Sequence, residues 1–313
     1  MKTVLEIYPE YIEYLSLKNK ITTINSTKYK FKNHILPYFK DFKVNEITVE
    51  SYIKFIFKLK EHDYNYSFYS RINSICLDFF EYLTCFHDMK DISKVIKNMG
   101  LNIGKKPHKK RDNTWTYKEY KLFIKEVDDP ILHALFNTLY FTGIRKGEAF
   151  ALKIEDFRNN VLIIDKTLSK ENINGKRTLL YPKTENAIRT IRIDNFLKKE
   201  LDKLIKYYKK IYSNFNTDFF LFGGVKPIAP TTLERKKNKY CKIANVKQIR
   251  IHDFRHSHAT MLYKQKIDIK SIQERLGHAR IDTTISTYVH LNEKQEKKLI
   301  TRINLIKILD KII

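Results

Sequence analysis

The sequence predicts a mainly α protein in two parts, an all-α helical bundle followed by a mostly helical α+β domain with one small antiparallel sheet. Apolar residues recur at helical spacing along most of the chain, whereas alternation of apolar and polar residues is confined to about 161–194. A polar segment without periodicity separates the two parts at about 99–114. The 313 residues are too many for one ordinary core and suit two domains.

Residues 1–98 predict a bundle of successive helices with no strand pattern. Thr48 stands where an N-cap would open the third helix, because its hydroxyl can accept a hydrogen bond from a free backbone N–H. The apolar positions that define the four helical faces are Val4, Ile7, Tyr11, Tyr14 and Leu15; Tyr29, Phe31, Ile35 and Phe39; Ile53, Ile56 and Phe57; and Ile72, Ile75, Cys76, Phe79, Phe80 and Leu83.

The segment 99–114 predicts an interdomain linker. It contains Gly100 and Gly104 and a basic run over 105–111. Two interpretations stay open: a solvated tether, or a tether that also crosses a phosphate backbone.

The remaining residues, 115–313, predict the second domain. Helical patterns cover about 117–127, 130–141, 145–156, 195–212, 230–244, 252–264, 268–276, 282–290 and 294–311. Alternating patterns at about 161–165, 178–182 and 190–194 predict three short antiparallel strands that form the sheet.

The charge balance indicates a polyanionic partner. Lys and Arg number 60 against 35 Asp and Glu, for a net charge of +25. An AT-rich genome would raise the lysine count without producing this imbalance. The three cysteines form no CxxC pair, which indicates a reducing cytoplasm, and no run approaches the roughly 18 apolar residues of a membrane span. Acidic residues through the first apolar stretch exclude a secretory signal.

Arg145 is the first candidate for binding a phosphate. It follows Gly143, which permits a tight turn, and it opens a predicted helix where backbone N–H groups favour anions. Glu148 lies three residues on, on the same helical face, and could orient the guanidinium. By itself such a pair is usually a surface ion pair that contributes about 0.2–0.5 kcal/mol.

His252 and Arg255 form a second candidate pair, because i, i+3 spacing places them side by side on a helix. Three histidines cluster here, so zinc must be considered. The spacing lacks a glutamate between paired histidines and a cysteine partner, and we therefore expect no metal. For His256 and His258 we expect local hydrogen bonding or packing.

The third candidate group lies near the end of the sequence. Gly277 is placed to end a short helix as its C′ residue, which would leave His278 in a turn. Tyr288 follows on a predicted helix that Asp282 can cap. One tyrosine among twenty is usually structural, and Lys183, in a turn between two strands, is one lysine among many. Only the combination distinguishes them.

These residues together resemble the tyrosine recombinase, or phage integrase, family. The matching stretches occur in the family's order and cover the whole second domain, and the first domain is similar to the family's SAM-like core-binding domain. They are Thr142–Glu148 (TGIRKGE), Pro182–Ile191 (PKTENAIRTI), His252–Thr260 (HDFRHSHAT) and Leu276–His278 (LGH) with Tyr288.

The resemblance implies a site-specific recombinase that cleaves and rejoins DNA through a covalent 3′-phosphotyrosine. Tyr288 would be the nucleophile, Arg145 and Arg255 would bind the non-bridging phosphate oxygens, and His278 would donate a further hydrogen bond. His252 would help to remove the tyrosine proton, Lys183 would protonate the departing 5′ oxygen, and Glu148 would support Arg145. Because the ester retains the energy of the cut strand, neither ATP, nor a metal, nor another cofactor is expected.

The resemblance also implies assembly as a homo-tetramer on two double-stranded DNA sites. An apolar face at about 294–313 predicts a docking helix, which packs either on its own domain or on a neighbouring protomer. No N-terminal arm-binding domain is evident, so a mobile-element or Xer-like enzyme is expected. Two other functions stay open: a catalytically silent DNA-binding regulator of the same fold, and an enzyme like the type IB topoisomerases.

Overall fold

The computed structural model describes residues 1–19, 21–100, 113–169, 178–181 and 188–277. The chain divides into two compact units, Met1–Arg111 and Asp112–Ile313, each with its own hydrophobic core. The predicted fold class, an all-α bundle and a mostly helical α+β domain, is confirmed.

The first unit consists of helices joined by short loops, and its described residues form no strand. Its centre is a cluster of aromatic rings, in which Phe79 meets Tyr11 and Phe31 edge to face at centroid distances of 4.9 Å. The predicted cap is confirmed, since the Thr48 hydroxyl accepts a hydrogen bond from the Ser51 N–H at 3.1 Å. The helices are α1 (Val4–Lys18), α2 (Ile21–Lys30), α3 (Leu36–Phe39), α4 (Val49–Lys60), α5 (Tyr66–Phe86) and α6 (Ser93–Asn98).

The second predicted helix of this unit is not a continuous α-helix. A π-helical turn over Phe31–Ile35 separates α2 from α3. Pro37 is the second residue of α3 and has no N–H to donate to an earlier carbonyl. Just before it, the Leu36 N–H donates to the Phe31 carbonyl, five residues back, which is the π-helical pattern.

The second unit packs its helices around a core that includes Trp115, Phe123, Phe136 and Phe254, all at most 2% exposed. These helices are α7 (Tyr117–Lys125), α8 (Pro130–Thr142), α9 (Lys146–Ala151), α10 (Asn195–Ile211), α11 (Pro230–Ile243), α12 (Ile251–Lys264) and α13 (Ile269–Leu276). The predicted helices at 282–290 and 294–311 lie outside the described residues.

The prediction of three strands in one sheet was too simple. Strands β1 (Phe157–Arg158), β2 (Val161–Ile164) and β5 (Arg189–Arg192) form one antiparallel sheet, and β3 (Thr167–Leu168) pairs with β4 (Leu179–Leu180) in a second. Two-residue strands are too short to show a period in the sequence. The chain leaves the first sheet after β2, and Lys166 stabilises this change of direction. Its ammonium donates to the carboxylates of Asp156 at 2.7 Å and Asp165 at 3.0 Å.

The predicted helix at 145–156 is also shorter than expected. Helix α9 ends at Ala151, because Leu152 leaves the helical region with ψ of 128°. The Lys153 N–H then donates to the Asp156 carboxylate at 2.7 Å and begins a separate 3₁₀ turn over Ile154–Asp156. Among the described helices, none is long and apolar enough to span a bilayer.

Candidate active site

Arg145 occupies the N-cap position of α9, as the sequence predicted. Gly143 ends α8 with a left-handed φ of 67°, and this turn carries the chain directly into Arg145. The guanidinium donates to the Glu148 carboxylate at 2.8 Å and to the main-chain carbonyl of Gly277 at 2.9 Å. Its side chain is 41% exposed, so a guanidinium fixed on the protein side still faces solvent and can reach an oxyanion.

Glu148 is a buried carboxylate between two arginines. Arg189 donates to both of its oxygens, at 3.1 and 2.8 Å, and Arg145 donates through its backbone N–H as well as its guanidinium. Burial alone would raise the pKa of Glu148, but the hydrogen bonds and positive charge of Arg189, followed by those of Arg145, outweigh it. The pKa of Glu148 is therefore held below its ordinary value, and the group is ionised at neutral pH.

Arg255 projects from α12 into the interior and is 3% exposed. It donates to the carbonyl of Gly143 at 2.8 Å and to the carbonyl of Leu276 at 2.7 Å. One buried guanidinium thus joins the turn before Arg145 to the end of α13.

The C-terminal end of α13 is where the arginines converge. Arg189, Arg255 and Arg145 donate in turn to the consecutive carbonyls of Arg275, Leu276 and Gly277. The last carbonyls of a helix have no partner within the helix and carry its partial negative charge, which attracts cations. The predicted role of Gly277 as the helix-ending glycine is confirmed by its φ of 66°.

His252 lies on the same helix as Arg255 but is exposed, and its ring meets that of His256 at 4.9 Å. Although the residue is exposed, neighbouring protein atoms remove part of the water around its ring, and this desolvation, followed by the charges of His256 and Arg255, lowers the pKa of His252. The imidazole is therefore neutral at pH 7 and able to accept a proton.

His258 is buried and structural, in agreement with the sequence-based expectation. Arg275 donates from Nε to the ring Nε2 at 3.2 Å, so this nitrogen is an acceptor. Burial, with the nearby charge of Arg275, lowers the pKa of His258 to about 3. The side chain also fills the space beside Gly143, where an added Cβ would lie 2.7 Å from Cδ2 of the ring.

The structure therefore brings Arg145, Glu148 and Arg255 together. Lys183, His278 and Tyr288 lie outside the described residues, and their roles stay predictions.

No role was predicted for Arg189 or Arg275 from the sequence patterns, although Arg189 stands within the stretch Pro182–Ile191 and Arg275 within the predicted helix at 268–276. A signal for Arg189 was present. It shares one face of β5 with Ile191, which is 1% exposed, and a charged residue on the buried face of a strand needs a buried partner. No comparable pattern marks Arg275.

Two family models match the sequence of this chain. The family model described as "Phage integrase family" matches residues 114–295, and that described as "Phage integrase, N-terminal SAM-like domain" matches residues 3–60. The two matches correspond to a mostly helical unit that contains the arginine cluster and to the helical unit before it. The fold and site define an enzyme of the class that breaks and rejoins DNA. The chain belongs to the phage integrase family, the tyrosine recombinases.

Among individual proteins, the chain is 29% identical over 302 residues to the ICEBs1 integrase of Bacillus subtilis (strain 168), with 94% of this chain and 80% of that protein covered. The solved structure of the Tn1549 transposon integrase with transposon right-end DNA has a TM-score of 0.75 at 19% identity, over 96% of this chain and 99% of that one. A lambda integrase tetramer bound to a Holliday junction has a TM-score of 0.62 at 18% identity, over 90% and 78%. At these identities the two structures show a shared fold.

Proposed function

We propose that this protein is a site-specific recombinase whose Tyr288 cleaves one DNA strand and keeps it as a covalent 3′-phosphotyrosine until it is rejoined. The observation that carries the proposal is the convergence of Arg145 and Arg255 on the adjacent carbonyls of Gly277 and Leu276. The two guanidinium groups come from different helices and are fixed beside each other, as a clamp on two phosphate oxygens requires.

The proposed step is an in-line displacement at phosphorus. The Tyr288 oxygen forms a bond to phosphorus as the bond to the 5′ oxygen breaks, and the tyrosine proton passes to a base. His252 is suited to help as this base, because its lowered pKa keeps it neutral. Lys183 gives a proton to the departing 5′ oxygen, and the reverse sequence of transfers rejoins the strand.

Arg145, Arg255 and His278 stabilise the charge that grows on the non-bridging oxygens. His278 is bonded to Gly277, the residue whose carbonyl Arg145 contacts, which supports its inclusion in the same site. Removal of one fixed donor of this kind commonly slows a reaction by about 10²–10³-fold. Glu148 supports the site by holding Arg145 through two hydrogen bonds.

We assign residues 1–98 to core DNA binding, 99–114 to a basic linker and 115–313 to catalysis, in a protein that acts on DNA in the cytoplasm. The net charge of +25 supports a polyanionic partner. The likeness to a lambda integrase solved as a tetramer on a Holliday junction supports a homo-tetramer on two DNA sites. The apolar sequence pattern at about 294–313 supports a helix there as the element exchanged between protomers. Deletion of the residues after Glu296 tests that element: we expect assembly on DNA to weaken, and unchanged assembly with intact cleavage would refute the exchange.

Catalysis is tested with a set of overlapping nicked duplexes that together cover the DNA on both sides of the gene that encodes this protein. A nick close to the cleavage point lets the short fragment that carries the free 5′-hydroxyl diffuse away, so a covalent adduct accumulates and can be seen on a denaturing gel. We expect an adduct with the wild-type protein, none with Tyr288→Phe, and an unchanged amount with the control Tyr29→Phe, since Tyr29 is 65% exposed in the first unit.

The same assay separates the two competing functions. DNA binding without an adduct on any duplex would favour a silent regulator. Relaxation of a supercoiled plasmid that lacks the flanking sequence would favour a topoisomerase.

A further inference from the structure

We propose that Arg189 is a positioning residue of this site, which holds Glu148 and, through Glu148, sets the guanidinium of Arg145 against the end of α13. The inference rests on the proposed function and adds a residue to it. Arg189 directs its guanidinium at Glu148: its two terminal nitrogens donate to that carboxylate, and its Nε donates to the main-chain carbonyl of Arg275.

The geometry connects three elements through one side chain. Arg189 stands on β5, where it pairs with Ile164 of β2 in the antiparallel register. Its two terminal nitrogens bind both oxygens of Glu148 on α9, and its Nε donates to the Arg275 carbonyl on α13 at 3.1 Å. Bidentate contact fixes both the position and the orientation of the carboxylate, which a single hydrogen bond would not do.

Glu148 passes this orientation on to Arg145. The oxygen that accepts from Arg189 Nη1 also accepts from Arg145 Nη1, and the other oxygen accepts from Arg189 Nη2 and the Arg145 backbone N–H. If Arg189 is lost, the hydrogen bonds that remain from this set are those with Arg145 itself, so Glu148 is no longer anchored to β5 and locates Arg145 on α9 less firmly.

Gly277 provides the space for Arg189 at the end of α13. A Cβ added to Gly277 would lie 3.0 Å from Nη1 and 3.2 Å from Cδ and Cζ of Arg189. The helix end therefore packs directly against the guanidinium, on the same residue whose carbonyl Arg145 binds.

A merely structural arginine is available for comparison at the same helix end. Arg275 binds the carbonyls of Phe141 and Arg192 and the ring of His258, and none of these contacts involves Glu148. Substitution of Arg275 should therefore weaken packing without changing the state of the carboxylate.

The charge on Glu148 gives a readout that loss of packing would not produce. Among the described residues, the charged groups that act on this carboxylate are Arg189 and Arg145. Strand β3, which packs on α9, meets it at Gly147 through Thr167, which does not titrate. Arg189 lowers the pKa of Glu148, so its removal raises that pKa. The variant then loses the ionised carboxylate, and with it the support for Arg145, at a pH at which the wild type keeps both.

The experiment measures single-turnover cleavage of a nicked flanking duplex, at saturating protein, as a function of pH. We expect Arg189→Gln to cleave about 10²-fold more slowly at neutral pH, the usual cost of a small misplacement of a catalytic group, with the dissociation constant for the duplex little changed. Its loss of rate on the acid side should begin at a higher pH than that of the wild type, whose own loss follows protonation of His252. Arg189→Lys keeps the positive charge but cannot make the bidentate contact with Glu148, so its cleavage rate should lie between those of the wild type and Arg189→Gln. Arg275→Gln should lower the melting temperature without moving the loss of rate on the acid side to a different pH.

A double-mutant cycle decides whether Arg189 acts through Glu148. If it does, Arg189→Gln combined with Glu148→Gln cleaves at the rate of Glu148→Gln alone. Multiplicative losses in the double variant, or an Arg189→Gln pH profile parallel to the wild type, would overturn the proposal. Retained duplex binding and an unchanged circular dichroism spectrum show that each variant is folded. Absence of an adduct with the wild type would instead refute the proposed function, and this inference with it.

Discussion

The guanidinium of Arg145 donates to the main-chain carbonyl of Gly277 across 2.9 Å, although 132 positions separate the two residues in the sequence. Through this contact the end of α13 belongs to the same cluster as the arginine at the start of α9. The peptide unit beyond Gly277 leads to His278, so the position of this glycine affects two of the proposed phosphate ligands together.

Substitution of Gly277 by alanine should therefore impair cleavage more than its cost in stability implies. The left-handed φ of 66° costs an L-residue about 1–2 kcal/mol, and the new Cβ would press on Arg189. The matched control is Gly100→Ala, where φ is 57° but no atom lies within 4 Å of the added Cβ. We expect a melting-temperature loss in both variants and a loss of cleavage only in Gly277→Ala; equal effects on cleavage would contradict this prediction.

Glu148 should make the stability of the second unit depend on pH. Its folded pKa lies below its unfolded value of about 4.3, so its contribution is present above that pH and is lost as the pH falls through the folded pKa. Removal of one member of such a buried pair costs about 3–5 kcal/mol. We expect Glu148→Gln to melt well below the wild type at neutral pH, and the two melting temperatures to converge in acid, as followed by circular dichroism between neutral pH and pH 3. Parallel curves over this range would show that the carboxylate contributes no linked protonation.

Phe254 should be essential for placing Arg255, its neighbour on α12. Its ring is 0% exposed and meets those of Trp115 at 5.1 Å and Phe136 at 5.5 Å. Phe254→Ala should destabilise the second unit by about 3–5 kcal/mol, because it removes buried apolar area and leaves a cavity. Phe57→Ala is the control, since Phe57 is 66% exposed, and should change the free energy of unfolding by less than about 0.5 kcal/mol. Urea denaturation of both variants measures the difference; a similar small effect at both positions would show that the aromatic core does not hold α12.

Sequence patterns located most of the described helices because apolar side chains at helical spacing report a buried face directly. Thr48 and Gly277 were recognisable for a similar reason, since capping depends on local chemistry. The strands were resolved less well, because β1, β3 and β4 are two residues long and a period cannot be measured over two residues. The shortened α9 depends on the contact of Asp156 with the Lys153 N–H, which competes with continuation of the helix.

The residues of the candidate site also fall into those that the sequence pattern identified and one whose part only the structure revealed. Arg145, Glu148 and Arg255 were identified from their order and spacing, and the contact between Arg145 and Glu148 follows from their separation of three residues on one helix. The part played by Arg189 depends on a strand, a helix start and a helix end that lie far apart in the sequence. Spacing along the chain carries no information about such a meeting, even though the buried face of β5 indicated that Arg189 needs a partner.

By itself, the sequence determined the helical fold class, the basic character of the chain, its family and the residue types of the site, since these depend on composition, periodicity and local order. Only the tertiary structure decided that three arginines share the last carbonyls of α13 and that Glu148 lies buried between two of them. The physical reason is that hydrogen bonds and desolvation act over a few ångströms in space. Which groups come within that range is settled by the packing of the whole unit.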